Sequence, residues 1–355
     1  MEVTLADQQT LAGQDRRPTL ADVATRAGVS RALVSIVIRG APGASAESRQ
    51  RVLRAADELG YRPDTRARLL RSSHSRLLGV VFGVQHAFHG DLVSGLYQAA
   101  DRRGYELTLS AVTPTRDEPR AVRSLLQDRC EALILLGPQA PTSDLGDLAA
   151  RLPVVVVARS VRRHAVDVVR TADDEGLHQA VDHLVALGHR RIAHIDGGRA
   201  PGAADRRRGY RQAMRWHGLD TETRILPGGL TEDDGAAAAH ALLDTPAGHR
   251  PTAVTVFNDR CATGVLDVLH RAGLTVPSDI SVIGYDDSRL ARLSHVDLTT
   301  IAQDAEQMTT LAVSRAIDRL NGTPIDHREL VIPPRLVIRG TTAAARASRT
   351  AGSVV

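Results

Sequence analysis

Residues 28–40 read GVSRALVSIVIRG, and the facing of this stretch decides what the N-terminal part of the chain is. Gly28 ends a helix, because glycine enters the left-handed cap conformation at little cost. Ser30 offers a side-chain oxygen to the free amides of a new helix, Arg31 to about Ile38, which Gly40 stops. At about 100° per residue, Val34, Val37 and Ile38 fall in one stripe and must be core. Ala32, Ser35, Ile36 and Arg39 fall opposite. Leu33 lies on the flank, and Arg31 stands at the helix start.

Working outward, Pro18 and Thr19 open the preceding helix, with Asp22 three residues beyond Thr19 in a capping-box position. That helix buries Leu20, Val23, Ala24 and Ala27. Downstream, the loop APGA leads to Ser45, which caps a third helix carrying Val52, Leu53, Ala56 and Leu59 at helical spacing and stopping at Gly60. Two short helices joined by a tight glycine-containing turn read as a helix-turn-helix over residues 18–62, whose second helix enters the DNA major groove by its N-terminal end. Residues 1–17 are polar and aperiodic and read as a disordered arm. After Pro63, Asp64 is placed to cap a short helix, Thr65–Arg71, within a hinge and linker of residues 63–75. Two turns with little to bury need a partner, such as DNA or a second copy of the chain.

Charge supports this division. The chain has 355 residues and a net charge of +4, and its basic residues are all arginine. Residues 1–75 hold 12 Arg against 8 acidic residues, while residues 76–355 hold 33 against 33. A small basic module thus precedes a large neutral body, as suits a phosphate backbone, although a solvated basic surface carries the same signature. Aromatic residues are 3% of the chain, so the core rests on Leu, Val, Ile and Ala. No apolar run approaches the ~18 residues of a membrane span. No export signal is visible, and Cys130 and Cys261 form neither a disulfide framework nor a CxxC clamp. The expected location is the cytoplasm, in association with the nucleoid.

From residue 76 onward, apolar strands alternate with amphipathic helices. The strand candidates are Leu77–Phe82, Glu106–Ala111, Ala132–Leu136, Val154–Val157, Val166–Arg170, Ile192–Asp196, Ala253–Phe257 and Ile280–Ile283. Short β-branched runs in this rhythm predict a doubly wound α/β body, and their number favours two lobes. Ligands in such sheets bind beyond the carboxyl ends of strands. Asp196, Asn258, Asp259, Asp286 and Asp287 lie there, and Arg206 begins a helix after a Gly-rich loop. Carboxylate, amide and guanidinium together suit a polyhydroxylated ligand. Asp259 and Asp287 are read as caps of following helices, and Arg206 is read as a pocket residue, with a surface ion pair as the alternative. His183 and His189 are spaced wrongly for one helix face, so no metal site is expected. No catalytic constellation, dinucleotide fingerprint or cofactor motif is found.

The ordered set TLADVATRAGVSRALVSIVIRG, SAESRQRVLRAADELGYRPDTRARLLR, AVDHLVALGHRRIAHIDGG, RRRGYRQAM, PTAVTVFNDRCATGVL, VPSDISVIGYDDSRLA, LTTIAQD and RLVIRGTT resembles the LacI/GalR family of transcription regulators over about Pro18 to Thr342. The resemblance implies a headpiece, a hinge helix and a two-lobed effector domain similar to type I periplasmic sugar-binding proteins. Three segments would cross between lobes, near Val169–Thr171, Ile301–Asp304 and Leu330–Pro333. Lobe 1 would take about 76–170 and 304–331, lobe 2 about 171–303 and 332–342, with a disordered tail at 343–355. It also implies a homodimer on an inverted-repeat operator and a small-molecule effector, sugar-like, in the cleft. By resemblance the DNA-contacting residues are Thr19, Ser30, Arg31, Ala32, Leu33, Ser35, Ile36 and Arg39, with Arg68 and Arg71 at phosphates and Leu70 wedged in the minor groove. The effector-contacting residues are Phe88, Arg206, Asn258, Asp286 and Gln303. This chain departs from the family where it matters for reading. Leu33 replaces a phosphate-binding hydroxyl, Ile36 replaces a guanine-reading arginine, and Ala172-Asp173 replaces Asp-Asn, leaving Asp173 as a cap. In the first lobe, His86-Ala87-Phe88-His89 replaces the usual loop. A tail without leucine heptads implies a dimer. A solute-binding protein with a weakened headpiece is the alternative function, and an enzyme on this scaffold lacks catalytic residues.

Overall fold

The computed structural model describes residues 18–38, 40–62, 75–161 and 166–346. The chain divides into two compact units, Met1–His74 and Ser75–Val355. Among the described residues of the first, three helices fold on one small core: α1 (Leu20–Ala27), α2 (Arg31–Ile38) and α3 (Ala46–Glu58). Thr19 and Asp22 form the capping box of α1. Gly28 takes φ 65°, which turns the chain toward α2. The Ser30 hydroxyl accepts from the Leu33 amide at 3.2 Å, and Ser45 accepts from the Ser48 amide at 3.2 Å. Val23, Ala24, Ala27, Val34, Val37, Val52, Ala55 and Ala56 are buried together. Leu53 corrects the sequence expectation, being 47% exposed. The buried side of α3 runs through Val52, Ala55 and Ala56, and Leu53 stands about 100° round the helix from Val52.

The second unit runs β1 (Leu77–Gly83), α4 (Ala87–Asp101), β2 (Glu106–Val112), α5 (Glu118–Gln127), β3 (Ala132–Leu136), α6 (Thr142–Ala149), β4 (Val154–Val157), β5 (Asp167–Thr171), α7 (Asp173–Ala186), β6 (Ile192–Ile195), α8 (Ala203–Trp216), β7 (Arg224–Leu226), α9 (Glu232–Leu243), β8 (Ala253–Val256), α10 (Asp259–Arg271), β9 (Ser281–Asp286), β10 (Thr299–Ala302), α11 (Ala305–Leu320), β11 (Glu329–Ile332) and β12 (Arg335–Val337). Two six-stranded sheets result, ordered β11-β5-β4-β3-β1-β2 and β12-β10-β9-β8-β6-β7. All their pairings are parallel except β10 with β12. Parallel sheets need cover on both faces, and β3, β4 and β8 are buried along their whole length. The eight expected strands form, with ends moved by up to three residues. β10 and β11 overlap the crossing strands expected near Ile301–Asp304 and Leu330–Pro333, while β7 and β12 lie outside the strand expectations.

The chain passes from the first sheet to the second after Thr171, returns after Ala302, and crosses again between Ile332 and Arg335. Two crossings are bonded directly, since the Ala172 amide donates to Ile332 O at 2.9 Å. Gln179 of α7 holds the third by donating to Pro334 O at 3.2 Å and accepting from the Leu336 amide at 3.0 Å. Residues 343–346 do not leave the body, which corrects the expected start of the tail. The Ala343 amide donates to the Ser281 hydroxyl and the Ala345 amide to Leu187 O.

α9 and α10 meet at backbone distance. A Cβ on Gly264 would lie 1.9 Å from Glu232 O, and one on Gly235 would lie 1.9 Å from Cys261 O. Gly264→Ala therefore forces the helices apart. Urea unfolding should show a loss of about 3 kcal/mol, and an unchanged midpoint would contradict this packing.

Candidate nucleic-acid interface and interlobe cleft

On α2, Arg31 and Ala32 are exposed, Leu33, Ser35 and Ile36 are half-buried, and Val34 and Val37 are buried. Helical geometry thus separates a core stripe from a face available to a groove. Thr19 is exposed at the start of α1. The Ser30 hydroxyl accepts a capping bond and still has a proton to donate. Arg51 donates to Ala27 O and Gly28 O, which braces the turn. Arg39, Arg68, Leu70 and Arg71 lie outside the described residues.

In the second unit a cavity of about 800 Å³ opens beside the crossing segments. Phe88 of α4 lines it from the first lobe, and Asp286 at the end of β9 lines it from the second. Gln303 and Pro333–Arg335 of the crossings complete it, with Asp91, Asp287, Arg289 and Arg292 at its wall. The structure therefore brings Phe88, Asp286 and Gln303 together. Arg206 is buried behind them, with Nη2 3.9 Å from Asp286 Oδ1. Its Nε donates to Asp173 Oδ1 at 2.8 Å, and Nη1 donates to Phe257 O. Its guanidinium carbon lies 3.5 Å from the Tyr285 ring centroid and 4.6 Å from that of Phe257. A desolvated cation between two aromatic faces and two carboxylates is strongly positioned.

The network continues into the crossings. Gln303 Nε2 donates to Asp286 Oδ1 at 2.8 Å, and the Thr171 hydroxyl donates to Gln303 Oε1 at 2.7 Å. Burial raises the Asp286 carboxyl above its ordinary range, opposed by Arg206. Asp286 also holds φ 115°, a strained conformation for a residue with a side chain.

Asn258 does not line this cavity. Its Oδ1 caps α10 by accepting from the Cys261 amide at 2.7 Å, and its Nδ2 donates to Leu230 O. Asp259 is correspondingly not a cap. It is fully buried, accepting from the Thr300 hydroxyl at 2.6 Å and the Ser288 amide at 2.7 Å. Asp287 is not a cap either, and pairs with Arg292 and Arg339. Nor does Asp173 cap α7, because its carboxylate is taken by Arg206. Sequence reasoning passed over Thr171 and Tyr285. Their only local signal is a polar side chain next to a crossing and the residue preceding Asp286. Among the described residues no His, Cys, Asp or Glu group has the arrangement of a metal site, and no helix is long and apolar enough to cross a membrane.

Residues 19–64 match the family described as bacterial regulatory proteins, lacI family, and residues 181–342 match the periplasmic binding protein-like domain. The HTH-type transcriptional regulator MalR of Streptomyces coelicolor is 34% identical, over 93% of this chain and 98% of its own. The chain belongs to the LacI/GalR family. It is a DNA-binding transcriptional regulator, as MalR, GalR of Escherichia coli and DegA of Bacillus subtilis are described. A LacI transcriptional regulator from a Rhodococcus species is 54% identical with a TM-score of 0.73, covering 76% of this chain and 99% of that one. The lac repressor dimer bound to operator and an anti-inducer is 30% identical with a TM-score of 0.78, covering 93% and 100%.

His194 of β6 is fully buried, and burial, then Arg206 and Arg207, push its pKa down to about 3. Its Nε2 and the Asp196 Oδ1 3.9 Å away have no hydrogen-bond partner among the described residues. The unfolded imidazole takes a proton near pH 6.5, the folded one near 3. The associated stability is complete above pH 6.5 and is lost as pH falls below it, at roughly 1 kcal/mol per pH unit. Urea unfolding at successive pH values should show His194→Gln losing one proton's share of that acid slope, and an unchanged slope would contradict a neutral buried His194.

Proposed function

We propose that this chain is a dimeric repressor whose α2 helices read the half-sites of an inverted repeat, with operator affinity set by a sugar-like effector between the lobes. The observation that carries this reading is the joining of the cavity to the crossings. A molecule touching Asp286 and Gln303 touches groups bonded to Thr171 and packed on Arg206. Occupancy then favours one arrangement of the lobes over another, and a differential affinity between two arrangements is what allosteric control requires. Phe88 supplies an apolar wall for a sugar ring, with hydroxyls toward Asp286 and Gln303. Arg206 acts from beneath by fixing Asp286, and Asn258 acts by holding the start of α10. The protein works in the cytoplasm on nucleoid DNA, with no cofactor or metal.

On DNA, Arg31, Ala32, Ser35 and Ile36 face base edges. Thr19, Ser30, Arg39, Arg68 and Arg71 contact phosphates, Leu33 packs at the backbone, and Leu70 wedges into the minor groove. Ile36 offers an apolar contact suited to a thymine methyl. Selection of operators from random DNA should return an inverted repeat. Ile36→Arg should shift one position per half-site toward guanine, by about 1–3 kcal/mol of discrimination. An unchanged preferred sequence would refute the role of Ile36, and recovery of no sequence would refute the repressor reading.

A further inference from the structure

A second link between the lobes lies away from the crossings. Arg260, in the first turn of α10, donates from Nη1 to Gln85 O at 2.9 Å, in the turn that follows β1. α10 starts beyond the carboxyl end of β8 in the second sheet, and Gln85 lies beyond the carboxyl end of β1 in the first. The strand orders separate β1 from β5 by β3 and β4, and β8 from β10 by β9. Neighbouring strands stand about 4.8 Å apart, so this bond sits roughly 10–14 Å from the crossing edge of the sheets. Rotating one lobe by about 10° about the crossings would lengthen it by roughly 2 Å, beyond hydrogen-bond reach. The adjacent strand ends also approach each other. A Cβ on Gly137, just past β3, would lie 3.2 Å from Pro201, in the loop after β6.

The surroundings of Arg260 prepare it to hold such a bond. Its Nε donates to Glu232 Oε2 at 2.6 Å, which fixes the guanidinium plane from α9. α9 and α10 meet at backbone distance through Gly235 and Gly264, so the arginine stands on a rigid base. A planar fork already held by one partner loses little freedom on bonding a second. Neither Arg260 nor Gln85 lines the cavity, so this contact is separate from the wall that a ligand meets.

We propose that Arg260 is a positioning residue that latches the two lobes. Its bond to Gln85 O favours the closed arrangement seen here, and its loss shifts the population toward an open one with no change in the ligand-contacting groups. This rests on the reading that the arrangement of the lobes sets operator affinity. The Arg260 side chain is partly exposed, so the bond is worth what a partly solvated hydrogen bond is worth. Removing it should raise the open-to-closed ratio about three- to tenfold.

The test uses the full-length protein without ligand. Nitroxides are attached at Thr115→Cys and Arg199→Cys, exposed positions beyond the ends of β2 and β6, while the native Cys130 and Cys261 are buried. Double electron–electron resonance then reads the separation of the lobes. Arg260→Leu should add a population longer by several ångströms, and Arg260→Lys, which keeps the charge without the fork, should fall between Arg260→Leu and the parent. An unchanged distance distribution in Arg260→Leu would overturn the proposal. If its melting temperature fell at the same time, Arg260 would serve only to join α9 to α10. Operator Kd on the same variants separates the latch from the reading beneath it. A longer distance with an unchanged operator Kd would support the latch and count against control of the operator through the lobes.

Discussion

The guanidinium of Arg206 is the group on which the body of this molecule depends. It is buried, and a buried cation survives when its charge and its donors are all answered. Asp173 answers it from the start of α7, Phe257 O from the end of β8, and Asp286 from the end of β9, with Tyr285 under its face. Each of these lies at the carboxyl end of the second sheet, where a ligand meets an α/β fold. The same Asp286 is shared with Gln303, and Gln303 with Thr171. One buried charge thus organises the cleft wall and two of the three crossings.

That arrangement explains why cleft and crossings cannot be separated. The crossings are bonded to each other and to α7, so a shift at one is felt at the others. The strained backbone at Asp286 and Asp287 sits where the network bends toward the cavity. Strain of this kind persists when surrounding bonds over-determine it, which is common at ligand sites.

The sequence reading succeeded where the rule was local and periodic. Val34 and Val37 were legible as core from helical spacing alone, as were the Thr19–Asp22 and Ser45 caps. Leu53 misled because it adjoins the true stripe of Val52, Ala55 and Ala56. Asp259, Asp287 and Asp173 look like caps to any local rule. Their real partners, Thr300, Arg339 and Arg206, are 41, 52 and 33 residues away, a distance no window sees. β7 and β12 are three residues each, and β10 is half threonine. Such strands are set by their neighbours in the sheet more than by their own composition. Phe88 and Gln303 were reached through family resemblance alone, whereas Asp286 was also legible from its place beyond the end of a strand.

The most direct measurement concerns Thr171, which the cavity does not expose but which holds Gln303. With the molecule found to release the operator, the operator Kd is measured by fluorescence anisotropy with and without it, for the wild type and for Thr171→Val. If the buried network carries the coupling, Thr171→Val binds the molecule within a few-fold of the wild type, while the ratio of operator Kd values falls from the 5–150-fold typical of allosteric coupling to about threefold or less. A variant with intact ligand binding and an unchanged ratio would contradict the account.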